Sequence, residues 1–200
     1  MVTETPAYRR PLALAIFLII GGAIGLYSAF ELTLAKFEVL ENPAAKLGCN
    51  FSLIVQCGTN LQSWQGSVFG FANPIIGLVG FTAVVVVGAG ILAGARFAAW
   101  FWLLFNAGVL FAFGFIIWLI TQSIFVLGTL CPWCMVVWAV TIPLFWGVTL
   151  YNLSTGAIPS SRRLRAFFGA ARSWVPLISL VCYLAIAVIA QLRLDVLSYL

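Results

Sequence analysis

Residues 131–151 read CPWCMVVWAVTIPLFWGVTLY. A Cys-x-x-Cys pair opens a run of apolar side chains that contains no charged residue. Crossing a bilayer as a helix takes roughly 20 apolar residues, and this run is long enough. Pro132 suits the first turn, where a missing N–H leaves nothing unpaired. The stretch therefore predicts a membrane helix that begins with two thiols.

Working outward, four more stretches have the same character, at 12–32, 73–92, 97–120 and 174–192. Of the 200 residues, 64% are hydrophobic and only 8% charged. A soluble domain carries about 25% charged residues, so the apolar excess must face lipid. None of the runs alternates with the period of a barrel strand. The expected class is all-α: an integral membrane protein with a four-helix transmembrane bundle and a fifth transmembrane helix. The first run is too long for a signal-peptide core and lacks a small-residue cleavage site, so it reads as a retained helix.

The organisation expected is a cytoplasmic arm at 1–11 and a catalytic bundle at 12–152 with an extracytoplasmic loop at 33–72. A basic cytoplasmic linker at 153–173 and the fifth helix with its tail at 174–200 follow. Residues 59–71, TNLQSWQGSVFGF, mix polar and aromatic side chains as an interfacial half-helix would. Gly21 and Gly25 form a G-x-x-x-G pattern that suits close helix packing.

Net charge is +5, but its distribution argues against a nucleic-acid partner. Arg9, Arg10, Arg96, Arg162, Arg163, Arg165 and Arg172 fall on one side if the helices alternate across the membrane. Lys36, Lys46 and Arg193 fall on the other, offset by Glu31, Glu38, Glu41 and Asp195. The positive-inside bias then puts the N-terminus in the cytoplasm. The 33–72 loop and the 131–134 pair then lie on the outer side of the membrane.

The spans hold almost no ionisable side chain, and the chain has no histidine. Proton-relay and ion-transport chemistry therefore lack candidates. Sulfur remains. Cys49, Cys57, Cys131 and Cys134 would all sit at the oxidising face, where disulfides persist. The i,i+3 spacing brings Cys131 and Cys134 to one helix face, and the N–H groups of the helix end favour a thiolate there. Such a dithiol is poised for electron exchange. Structural zinc wants four ligands at tighter spacing than Cys49 and Cys57 provide, so no metal is expected. Cys49 and Cys57 alone would suit a structural staple equally well; beside a second dithiol they can pass a disulfide to it. Cys182, in mid-helix, reads as an inert thiol. A dithiol that meets the bilayer calls for a lipid-soluble two-electron partner, and quinones are that class. Trp133, Trp138 and Phe125 supply aromatic rings near the pair.

Cysteines in this order, with the segment SWQGSVFGFANP before the second helix, resemble the vitamin K epoxide reductase (VKOR) family in its bacterial form. Ser63 and Gly70 match the serine and glycine of that family's stretch. The resemblance covers residues 12–152, and the fifth helix is similar to the extra span of bacterial members. It implies a bundle enclosing a quinone of the menaquinone, ubiquinone or phylloquinone type. Cys134 would face the quinone, with Ser63, Trp133, Trp138 and Phe69 around it. Cys131 would exchange with Cys57, and Cys49 would take electrons from a separate thioredoxin-like (DsbA-like) protein. Chain reach by itself excludes neither a Cys49–Cys131 nor a Cys57–Cys131 exchange. Trp138 stands where vertebrate members have tyrosine, and Gly66 where they have asparagine, so the resemblance carries quinone binding, and epoxide reduction does not follow from it. The activity implied is a quinone-coupled thiol oxidase. Alternatives are an unrelated DsbB-type oxidase, which carries its C-x-x-C in the first outer loop, and a non-enzymatic membrane subunit with structural cysteines.

Overall fold

The computed structural model describes residues 11–159 and 161–199. The arm at 1–10, with Arg9 and Arg10, lies outside the described residues. Seven helices appear in order: α1 (Leu12–Glu41), α2 (Gly58–Gln62), α3 (Pro74–Leu92), α4 (Ala99–Gln122), α5 (Pro132–Thr155), α6 (Arg162–Ala171) and α7 (Val175–Leu194). Five segments are long and apolar enough to cross a membrane: Leu12–Glu41, Pro74–Leu92, Ala99–Leu127, Pro132–Thr155 and Arg162–Leu194. The chain is an all-α, multi-pass membrane protein. Prolines open three of the helices, at Pro74, Pro132 and Pro176, where the missing N–H is harmless.

Two segments differ from the sequence reading. Helix α1 continues to Glu41, into the stretch expected to be loop. Its last turns are held from the side: Val39 is buried, and the Lys36 ammonium donates to the Leu61 carbonyl at the end of α2. A cation there meets the negative end of a helix. The stretch 153–173, expected to be linker, holds the amphipathic helix α6, capped by Ser161 Oγ accepting from the Leu164 N–H.

Helix α1 packs against α3 and α5, while α5 packs against α4 and α7. Small residues set the α1–α3 distance. A Cβ on Gly25 would lie 2.3 Å from the Phe81 ring, and one on Gly22 2.8 Å from Val85. Across the interface, a Cβ on Gly88 would lie 2.9 Å from the Ala15 carbonyl. Gly21 does not share this face. It looks at Leu144 of α5, and a Cβ there would make an ordinary 3.4 Å contact. Gly22 and Gly25 are thus the close-packing pair, in place of Gly21 and Gly25. In a membrane, where lipid is as apolar as leucine, such close approach is a main source of helix association.

Helices α3 and α4 are joined by a tight turn around Gly94, yet they face each other across a cavity for most of their length. At one end of the bundle lie Arg96, α6 and Arg172, whose guanidinium sits 5.2 Å above the Tyr151 ring. At the other lie the cysteine loop, the start of α5 and Arg193, 5.4 Å above Phe125.

Candidate redox site

The site is assembled by a short parallel bridge between Val55 and Leu130. The Leu130 N–H donates to the Ile54 carbonyl at 2.7 Å, and the Gln56 N–H donates to the Leu130 carbonyl at 3.0 Å. The chain can reach this bridge because α4 ends in a π-turn, Ser123–Leu127, followed by Gly128 at φ 66°. Glycine takes that left-handed conformation without a Cβ penalty. The two segments run the same way: Cys131 follows Leu130 directly, and Cys57 follows Gln56, whose N–H is bonded to Leu130. Asn50 holds the other flank: its Oδ1 accepts from the N–H groups of Cys57 and Gly58, at 2.9 and 3.2 Å.

The sulfurs fall into place accordingly. Cys49 and Cys57 form a disulfide, while Cys131 and Cys134 are thiols. The Cys131 Sγ lies 3.4 Å from the Cys57 Sγ. It also lies 3.4 Å from the Cys134 backbone nitrogen, whose N–H points at it. A donor so placed stabilises a thiolate. Cys57 and Cys131 are both fully buried, and Cys49 keeps 7% exposure. The closest approach between the two pairs is thus Cys57 to Cys131, and Cys49 is the more exposed residue of the loop pair.

Cys134 faces a different space. It lines a half-open cavity of about 690 Å³ bordered by residues of α1, α2, α3, α4 and α5. That size falls in the usual range for a small-molecule site. The walls are almost wholly apolar, from Phe81, Val84, Phe105, Phe115, Trp138 and their neighbours. Gly80 of α3 and Gly108 of α4 both line it, and a Cβ on either would meet nothing within 4 Å. Polar groups collect at one end, near Cys134: Asn60, Ser63, Gln65, Asn73, Gln122 and Ser123. The Gln65 Oε1 is buried without a hydrogen-bond partner. An apolar cavity of this size with a few polar side chains in its lining suits a lipid-soluble ring.

The family profile described as Vitamin K epoxide reductase family matches residues 16–149. The chain belongs to the vitamin K epoxide reductase family. Members are membrane quinone-coupled disulfide oxidoreductases and typically work with thioredoxin-like partners. No curated protein matches the chain.

For this vitamin K epoxide reductase family member, the residues singled out from sequence divide into two groups. Ser63 and Trp138 line the cavity with Cys134. Trp133 lies off its wall, edge-on to Tyr27 at 5.6 Å and packed beside the buried cysteines. Phe69 also lies off the wall, one ring further out, 5.6 Å from Phe115 and 6.4 Å from Phe111, which do line it. The sequence reading missed Asn60, Gln65, Asn73, Gln122 and Ser123. The signal available was their polarity at the ends of apolar runs, as in T-Q-S at 121–123. Cys182 packs among α5 and α7 side chains, away from the loop pair.

Proposed function

We propose that the protein is a quinone-coupled thiol oxidase. It takes two electrons from a separate, reduced thioredoxin-like (DsbA-like) protein outside the cytoplasm and delivers them to the membrane quinone pool. The net result is disulfide formation in exported proteins. The observation that carries this reading is the 3.4 Å between the Cys57 and Cys131 sulfurs, with Cys134 on the wall of the cavity.

The partner's thiolate attacks Cys49, and its second thiol resolves the mixed disulfide, leaving Cys49 and Cys57 reduced. The Cys57 thiolate attacks Cys131 of an oxidised Cys131–Cys134 pair, forming a Cys57–Cys131 bond and freeing Cys134. Cys49 then attacks Cys57, restores the loop disulfide and releases Cys131. Each exchange passes one disulfide and conserves sulfur oxidation state. The Cys131 and Cys134 thiols finally give two electrons and two protons to the quinone and close their own disulfide. A disulfide in the loop with thiols at 131 and 134, as in the structure, is the state reached just before that last step. Ser63 and Trp138, on the cavity wall, shape the ring site.

The arginine distribution supports an orientation with the N-terminus in the cytoplasm and the cysteine end in the periplasm or cell exterior of a bacterial cell. In intact cells, after reduction, an impermeant thiol reagent should label a variant that retains Cys49 as its single cysteine. Labelling only after the inner membrane is broken would reverse the orientation.

The experiment that tests the function is anaerobic. Purified protein, a reduced thioredoxin-like protein and a quinone are mixed, and quinol formation is followed. Replacing Cys131 or Cys134 by Ala should abolish quinol formation with any donor. Cys49→Ala should block the protein donor and leave appreciable activity with a small dithiol. Equal loss with both donors in Cys49→Ala would make the loop pair structural.

A further inference from the structure

Helix α6 carries charge that the bundle does not answer. Arg162 and Arg163 stand in its first turn, which holds no acidic residue. The N-terminus is the positive end of a helix, so cations there cost stability. No described carboxylate offsets them, because Glu31, Glu38, Glu41 and Asp195 all lie toward the cysteine end. Both arginines are exposed, and neither forms an ion pair with a described residue.

The two sides of α6 differ. One side rests on the last turn of α5. A Cβ on Gly169 would lie 4.0 Å from the Ser154 Cβ, the Arg165 guanidinium covers Gly156, and Arg172 stands over the Tyr151 ring. On the other side Arg163, Phe167, Ala170 and Trp174 follow one another at i, i+4, i+7 and i+11, and all are exposed. Phe167 keeps 66% of its surface and Trp174 59%. Trp174 directly precedes α7, so this stripe begins at the edge of a membrane span. Outward from there it runs from tryptophan through phenylalanine to arginine. Aromatic rings belong to the boundary of the hydrocarbon, and an arginine beyond them extends to the phosphates.

The rings call for hydrocarbon and the guanidinium groups call for an anion. A phospholipid with a net negative headgroup satisfies both at once. A zwitterionic lipid would cover the rings but bring its own cation to the arginines. An acidic soluble protein would meet the arginines but not reach Trp174 at the edge of the span.

We propose that the outer side of α6 binds an anionic phospholipid from the leaflet at this end of the bundle. Its phosphate sits at Arg163, with Arg162 beside it, and an acyl chain runs along Phe167 and Trp174. The lipid offsets the charge conflict in the first turn and so holds α6, and α7 after it, against α5. The site lies at the end opposite to the cysteines and does not depend on the quinone reading.

The test uses the full chain in micelles that hold equal amounts of phosphatidylglycerol and phosphatidylcholine with the same acyl chains. Native mass spectrometry then reads which lipid stays bound. The parent should retain phosphatidylglycerol in preference. Arg162→Gln with Arg163→Gln, at exposed positions, should lower that preference roughly fivefold for each arginine removed. Arg193→Gln, at the opposite end, should leave it unchanged. Phosphatidylglycerol in nanodiscs should raise the melting temperature of the parent and not that of the double variant. Equal retention of the two lipids by the parent, or a preference that survives the double substitution, would overturn the proposal. Displacement of the lipid by glycerol phosphate at equal concentration would also overturn it, because the site would then be one for a soluble anion.

Discussion

The Tyr183 hydroxyl on α7 donates to the Ala139 carbonyl on α5. Ala139 is four residues before Pro143, so its carbonyl is the one that proline leaves without a helical N–H. The fifth span thus docks on a backbone defect of the fourth. In hydrocarbon no water can repair such a defect, so a side chain must. Tyr183→Phe should cost about 0.6–1.5 kcal/mol of stability, read by reversible unfolding in mixed micelles. Pro143→Ala gives the carbonyl its own N–H partner, and in that background Tyr183→Phe should be close to neutral. An equal cost in both backgrounds would assign Tyr183 another role.

The 3.4 Å between Cys57 and Cys131 predicts which mixed disulfide can be trapped. Removing the outer members of both pairs, with Cys49→Ala and Cys134→Ala, leaves these two sulfurs without resolving thiols. The double variant should accumulate a Cys57–Cys131 bond on mild oxidation, visible by non-reducing peptide mass mapping. Recovering both as free thiols under oxidant would contradict the relay. The matching variant with Cys57→Ala and Cys134→Ala should form the Cys49–Cys131 bond much more slowly.

Asn50 gives a test of positioning that leaves every sulfur in place. Its Oδ1 serves the N–H groups of Cys57 and Gly58 at the start of α2. Losing that acceptor leaves two part-buried N–H groups without it, at a cost of about 1–3 kcal/mol. Asn50→Ala should therefore loosen Cys57 and slow reduction through the protein donor. Quinol formation from a small dithiol acting at Cys131 and Cys134 should stay near the wild-type rate. A comparable drop with both donors would place the effect at the quinone step.

Gly108 tests the cavity. A side chain there points into open space, with nothing within 4 Å of its Cβ. Gly108→Leu should therefore fold normally and shrink the cavity. The KM for quinone should rise on the order of tenfold or more, while exchange between a small dithiol and the Cys49–Cys57 disulfide proceeds as before. An unchanged KM would move the ring site elsewhere.

Gly25 tests the opposite condition, because a Cβ there meets the Phe81 ring at 2.3 Å. Gly25→Ala should destabilise by about 1–3 kcal/mol. Combining it with Phe81→Leu, which frees the ring's space, should cost less than the two single changes summed. Strict additivity would mean that α1 and α3 separate rather than clash.

Part of this was open to reading from residue order alone. The five spans follow from polarity and length, because hydrocarbon requires every backbone group to be paired within the segment, and only a long apolar helix does that. Cys131 and Cys134 at the mouth of a span follow from Pro132 and the i,i+3 rule. The same rule places Cys134, Trp138 and Thr141 on one stripe, which is the stripe that lines the cavity. Trp133, five residues from Trp138, is carried round to the Tyr27 side.

Other features depended on contacts between distant segments. Residues 33–41 carry enough charge to read as loop, yet they are helical because Val39 is buried and Lys36 finds the Leu61 carbonyl. The unpaired Gln65 Oε1 is defined only by what fails to come near it. Chain length allowed either loop cysteine to reach Cys131. The choice of Cys57 was made by two backbone hydrogen bonds between Ile54, Gln56 and Leu130. Backbone pairing of this kind carries no side-chain signature. The sequence determined that four cysteines gather at one end of the bundle, because polarity and spacing are local properties. Only the tertiary structure decided which loop cysteine meets Cys131, because that depends on a pairing register between segments some seventy residues apart.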